Sequence, residues 1–317
     1  MKKTVLVLMV AACAFAQRPS DPNLLIPQEG PDLGYKWVAN PLSGIPADVQ
    51  FGLPGNVEFD RQGHLWVLNR GPKPVSEFDG DGKFIRAFGE GLFGARPHAL
   101  RFDPQGNVWV ADGSTHIVVK LDQQGKVLMT LGTKGQAGAW DEAAGTRLLN
   151  QPNDVAFAAN GDFFVVQGHT PGERGDPRVL KFDRTGKFIK TWGGKGKGPG
   201  QFDVAHSVVI DPKGQLWVTD RENSRIEIFD QDGKYLRELK YKGLPCSVQI
   251  GSEFIFMVNG FTGQILKLDL DGKVLAVQGK PGAGDGEFGE AHYIAVGPKG
   301  DLWIADVTKG VQKFVKP

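Results

Sequence analysis

Short runs of alternating apolar and polar residues, broken by glycine turns, recur along the whole chain. One unit opens with Arg96-Pro97-His98-Ala99-Leu100 and turns at Asp103-Pro104-Gln105-Gly106. It continues through Asn107-Val108-Trp109-Val110-Ala111-Asp112, a polar loop and Ile117-Val118-Val119-Lys120-Leu121-Asp122, then turns at Gly125-Lys126 into a last strand ending near Gly132. A period of two with tight turns predicts four antiparallel strands per unit. The second-strand signature returns at Trp66, Trp109, Trp217 and Trp303, and the Gly-Lys turn at Gly82-Lys83, Gly125-Lys126, Gly186-Lys187, Gly233-Lys234 and Gly272-Lys273. Units spaced by about 40 to 55 residues match the size of propeller blades.

The sixth unit stops after Val311-Gln312-Lys313-Phe314, one strand short. Tyr35-Lys36-Trp37-Val38, ahead of the first complete unit, supplies a candidate for the missing strand. Pairing it into the last blade would close the ring and remove the free edges. The expectation is an all-β, six-bladed β-propeller over residues 35–317, with the tryptophans packing between blades. Asp79-Gly80-Asp81-Gly82 and Asp269-Leu270-Asp271-Gly272 look like fragments of calcium loops, but lack the full ligand spacing and fall at hairpin turns. Residues 193–198, rich in glycine, read as a loop between blades, without the strand-to-helix context of a phosphate site.

Composition agrees. In 317 residues there are 44 glycines and 20 prolines, spread over turn positions, and 40% hydrophobic residues, enough for a large core. The net charge of +1 is mixed throughout, which gives no nucleic-acid or basic membrane patch. Lys2 and Lys3, an apolar run over 4–12 and Ala14-Phe15-Ala16 predict a signal peptide over 1–16, followed by an extension over 17–34. The apolar run is too short to span a bilayer. Val10-Ala11-Ala12-Cys13 also fits a loose lipoprotein box, so the alternatives are a secreted or periplasmic protein and one lipid-anchored through Cys13. Cleavage after Ala16 leaves Cys246 alone, and with it no internal disulfide.

Aligning the units on the step that opens each first strand gives one column: Gly55, His98, Asn153, His206, Cys246 and His292. Histidine occupies the second, fourth and sixth blades, which are related by roughly threefold rotation. If the first strands are innermost, three imidazoles converge on the axis. Three neutral imidazoles around a point form an open zinc site that keeps a position for water or substrate. The plainer alternative is three separate channel histidines bonded to water. The residues after each second strand should ring the same mouth, and among them Arg70 and Arg221 stand out. Guanidinium pairs bidentately with carboxylate, which suits a substrate carrying one; the alternative for each is a blade-capping ion pair, for Arg221 with Glu222.

These repeats resemble NHL repeats, and nearly all of the chain resembles the peptidyl-α-hydroxyglycine α-amidating lyase family. The matching segments are Asn69-Arg70-Gly71, Pro97-His98-Ala99-Leu100, Ala205-His206-Ser207, residues 220–226 and Ala291-His292. The resemblance implies zinc held by His98, His206 and His292, with Arg70 and Arg221 lining the active site. The family's active-site tyrosine corresponds to the run Gln167-Gly168-His169, followed by a longer loop from Thr170 to Pro177, so His169 is either the acid/base in its place or a loop residue left behind when that role was lost. The family's calcium aspartate is Tyr293 here, which puts a calcium site of that form in doubt.

The expected activity is cleavage of an α-hydroxyglycine-type carbinolamide into an amide and glyoxylate by a monomer acting on a small or peptide substrate with a carboxylate. The chain has no room for the copper hydroxylase that precedes this step. Two other readings stay open: a metal-dependent hydrolase or lactonase, for which the column offers only Asn153 as a typical ligand, and a non-catalytic exported propeller binding a peptide or glycan.

Overall fold

The computed structural model describes residues 19–171 and 175–316; the expected signal segment and Cys13 lie outside them. Six four-stranded antiparallel sheets run in simple up-and-down order. Their first strands are Pro54–Phe59, Pro97–Phe102, Pro152–Phe157, Ala205–Ile210, Pro245–Ile250 and Ala291–Val296. Each of these packs against the first strands of both neighbouring blades, the last against the first, so that six strands circle a common axis.

Apolar content sorts the strands radially. The second strands, such as Leu65–Asn69 and Leu216–Asp220, are buried along their whole length, because each faces a neighbouring blade on both sides. The outermost strands are the least buried: Val127–Leu131 is mostly exposed and Phe84–Phe88 mostly half-buried. Trp66, Trp109, Trp217 and Trp303 are buried between blades. Each indole N–H donates to an aspartate of the preceding turn: Asp60, Asp103, Asp211 and Asp301 at 2.9, 3.0, 3.1 and 2.7 Å. A buried tryptophan needs such a partner for its polar edge. The Gly-Lys turns are closed by their own aspartate, as where Asp79 accepts from the amides of Asp81 and Lys83, which accounts for the calcium-like pattern there.

Blade six closes as expected. Lys36–Val38 pairs antiparallel with Gly310–Val315, with Trp37 opposite Phe314. The preceding segment runs along blade five, where Gln28 and Gln264 exchange two hydrogen bonds and Asp32 bridges Val277. Among the described residues no helix is long and apolar enough to cross a membrane.

One irregularity repeats in every blade. Pairing of the first and second strands shifts between Pro54 and Asn56, Pro97 and Ala99, Pro152 and Asp154, Ala205 and Ser207, Pro245 and Ser247, and Ala291 and Tyr293. The skipped residues are Gly55, His98, Asn153, His206, Cys246 and His292, the column aligned from sequence. Each is the extra residue of a β-bulge, which leaves its backbone out of the ladder and re-aims its side chain. At Gly55 a Cβ would lie 2.6 Å from the Pro97 carbonyl oxygen, so blade one has no room for a side chain there.

Deleting Lys36–Val38 would leave Gly310–Val315 as a free edge. The expected outcome is a lower thermal midpoint with concentration-dependent self-association by light scattering. A monodisperse variant of unchanged stability would show that this strand does not seal the ring.

Candidate metal centre

The bulges bring His98, His206 and His292 together at the axis, with ring centroids 4.6–4.8 Å apart. Each Nδ1 meets a carbonyl oxygen of the next blade's bulge: His98 with Asn153 at 2.8 Å, His206 with Cys246 at 2.8 Å and His292 with Gly55 at 2.6 Å. A carbonyl only accepts, so the proton sits on Nδ1 and the Nε2 lone pair is left for the axis. The Nε2 atoms of His98 and His206 are buried with no hydrogen-bond partner. Buried nitrogens left this way are costly unless something fills the axis. Burial pushes the His98 imidazole down to about 3 and drives His206 and His292 well below the usual histidine range, so all three are neutral near pH 7. Neutral imidazoles with one nitrogen fixed by a carbonyl are the form in which histidine ligates a metal.

His169 joins this group. Its ring lies 4.9 Å from His98 and 5.5 Å from His206 by centroid, and ligand atoms of all four histidines lie within 4.8 Å of one another. The cluster could hold a metal ion. His169 stands on the loop after Phe163–Gln167, whose start is pinned by Gly168 at φ 92° and by the Thr170 amide and hydroxyl donating to Gln151.

Below the imidazoles the axis is filled. The Tyr293 hydroxyl lies 3.3 Å from both the Asn153 and His206 carbonyl oxygens, and its ring packs against all three histidines. Burial holds its phenol well above the usual range. Beneath it the Arg101 guanidinium donates twice to Asp154 at 2.9 and 2.8 Å and once to Glu58 at 2.6 Å. The position that the resemblance gives to a calcium aspartate is thus occupied by a neutral phenol above a buried ion pair.

Above the imidazoles opens a cavity of about 680 Å³. Arg70, Arg221, His98, His169 and His292 all line it, as do Arg96, Ser114, Glu222 and Glu290. Pro19, Ser20, Asp21 and Leu24 of the N-terminal extension border its mouth. The last residues of the second strands do not: Asn69, Asp112, Gln167, Asp220, Asn259 and Asp306 turn away to bond the loop that enters their own blade. The following residue faces the cavity instead, as Arg70, Gly113, Arg221 and Val307 do.

Both readings of Arg221 hold at once. Its Nε and Nη2 donate to Glu222 at 3.0 and 2.7 Å. Its Nη1 is buried without a hydrogen-bond partner, 3.9 Å from a Glu290 carboxylate oxygen. Glu222 therefore fixes the guanidinium while one edge stays available. Sequence reasoning passed over Glu290, whose carboxyl burial pushes up to about 7; its signal is an acidic residue two positions before a column histidine. In the same column Cys246 is buried, with its thiol pushed up to about 12 by burial, so it stays protonated.

The family model for the NHL repeat matches residues 202–229. The mouse protein named peptidyl-glycine alpha-amidating monooxygenase is 40% identical over 120 residues, 35% of this chain and 12% of that protein. Peptidyl-alpha-hydroxyglycine alpha-amidating lyase 1 of Drosophila melanogaster is 28% identical over 216 residues, 59% of this chain and 38% of that protein. The chain thus spans well under two thirds of the length of these relatives. A solved streptogramin B lyase superposes with a TM-score of 0.61 at 15% identity, over 88% of this chain and 96% of that one, a likeness of fold. The chain is a six-bladed NHL-repeat propeller with sequence homology to the amidating lyases.

Glu222→Ala would leave the Arg221 guanidinium buried with its nearest carboxylate at 3.9 Å. Breaking a buried pair from one side is expected to cost about 3 kcal/mol, read as a lower midpoint in urea unfolding. A loss below about 0.5 kcal/mol would mean that solvent already satisfies the group.

Proposed function

We propose that the protein is an exported, zinc-dependent lyase that cleaves an α-hydroxyglycine-type carbinolamide into an amide and glyoxylate. The observation that carries this reading is the trio of axial imidazoles, each held at Nδ1 by a bulge carbonyl with its other nitrogen turned inward. The donor set suits zinc, a borderline ion that takes neutral imidazoles readily. His98, His206 and His292 would hold it, and when bound it would supply Lewis acidity toward the substrate hydroxyl.

The chain's own groups account for the rest. The open edge of Arg221, with Arg70 on the same cavity wall, receives the substrate carboxylate. That anchors the α-carbon below the guanidinium groups and next to the imidazoles. His169, at the edge of the trio, takes the hydroxyl proton and returns it to the departing amide nitrogen. The C–N bond breaks as the C–O bond becomes a carbonyl, so the hydroxyl proton ends on nitrogen and no other reactant is needed. The chain acts as a monomer in this reading, its site lying within one ring of blades.

Glyoxylate release from α-hydroxyhippurate by the zinc-loaded protein tests the chemistry directly. Turnover is expected; none from a folded, zinc-loaded sample would sink the lyase reading. His206→Ala should abolish both stoichiometric zinc and turnover. Arg221→Ala should lower kcat/KM by about 10- to 100-fold, the loss of a charged hydrogen bond to the carboxylate, and a smaller change would move the carboxylate elsewhere.

A further inference from the structure

We propose that His169 is a fourth metal ligand, which closes the histidine set in the resting protein and has to be displaced before substrate can reach the metal. This rests on the metal reading above and adds to it: the site is gated by one of its own side chains.

The geometry separates His169 from the other three while placing it within their reach. With metal–nitrogen bonds of about 2.0–2.1 Å, tetrahedral donors sit about 3.4 Å apart and their ring centres about 5 Å apart. The trio's centroids at 4.6–4.8 Å and those of His169 at 4.9 and 5.5 Å bracket that spacing. Donor atoms of all four already lie within 4.8 Å of one another, so a shift of about an ångström would seat four nitrogens around one ion. The trio approaches from the blade strands, with Tyr293 filling the axis on the side away from the cavity. The fourth tetrahedral direction therefore points toward the cavity, where His169 stands.

The four imidazoles are not equally held. His98, His206 and His292 are bulge residues of innermost strands, each with Nδ1 bonded to a carbonyl. Among the described residues nothing hydrogen-bonds the His169 ring, and it is carried by a loop on the cavity side. A ligand without an outer partner is weaker and easier to replace. Three nitrogens with outer partners and one without make a set that is closed when empty of substrate and open when a hydroxyl or carboxylate competes for the fourth position.

The test uses the full chain loaded with cobalt(II) in place of zinc, with zinc affinity measured by competition against a chromophoric chelator. The unaltered protein should show the intense visible absorption of four-coordinate cobalt. His169→Ala should weaken zinc binding at least about tenfold and change the cobalt spectrum, and His169→Asp, which restores a donor, should recover most of the affinity. If His169→Ala and the unaltered protein bind zinc equally and share one cobalt spectrum, the proposal is wrong while the three-histidine site stands. If the unaltered protein binds neither ion, both fall together. Matching thermal unfolding of the metal-free forms would show that the fold is intact in the comparison.

Discussion

The site depends on a backbone constraint, the β-bulge at the start of every innermost strand. A regular strand would send alternate side chains toward and away from the axis and, at the inner edge of its sheet, leave free only every second carbonyl. The bulge frees one residue per blade from both rules. Its side chain turns to the axis and its carbonyl stays available. Because all six blades carry the bulge, a histidine in one blade finds the free carbonyl of the next, and the pattern repeats at Asn153, Cys246 and Gly55. The histidine-bearing blades supply imidazoles and the blades between supply carbonyls. That division fixes three tautomers through backbone carbonyls.

The remainder of the channel is shaped by the cost of burying charge. Arg101, Asp154 and Glu58 are withdrawn from water beneath the site, and they are tolerable because the guanidinium makes three charge-assisted hydrogen bonds. Asp154 also accepts from the Ser207 hydroxyl and the Val208 amide, so the network ties blades one to four together. Tyr293 separates this charged layer from the imidazoles, its ring packed against the histidines on one side and under the Arg101 guanidinium on the other. Above the imidazoles the balance differs: Arg221 is paired on one edge and open on the other. An anionic group entering the cavity meets a guanidinium that is already oriented, which lowers the entropy spent on recognition.

Much of this was legible in the sequence. Turn spacing and alternation give six four-stranded units, and the orphan strand at Lys36–Val38 pairs where the count requires, because local periodicity and ring closure are nearly independent of side-chain detail. The histidine column was visible because repeats share a register, so residues at equivalent positions share an axis. The strand order placed Arg70 and Arg221 after second strands at the same mouth, and both face the cavity.

Tertiary structure decided what the repeat register could not. A bulge leaves no distinct mark in the hydrophobic pattern, so the carbonyl partners of the imidazoles emerge only when adjacent blades are set side by side. Glu290 reads as a surface acid in sequence, yet folding buries it and pushes its carboxyl up to about 7, since its neighbours across the cavity come from other blades. His169 lies outside the column, on a loop whose course is not encoded by the repeat, and only the folded loop brings it against His98. The sequence determined which elements form and which residues share the axis, because those follow from local alternation and symmetry. The contacts between blades decided protonation, orientation and the fourth imidazole, because they depend on atoms that the chain brings together only after the ring has closed.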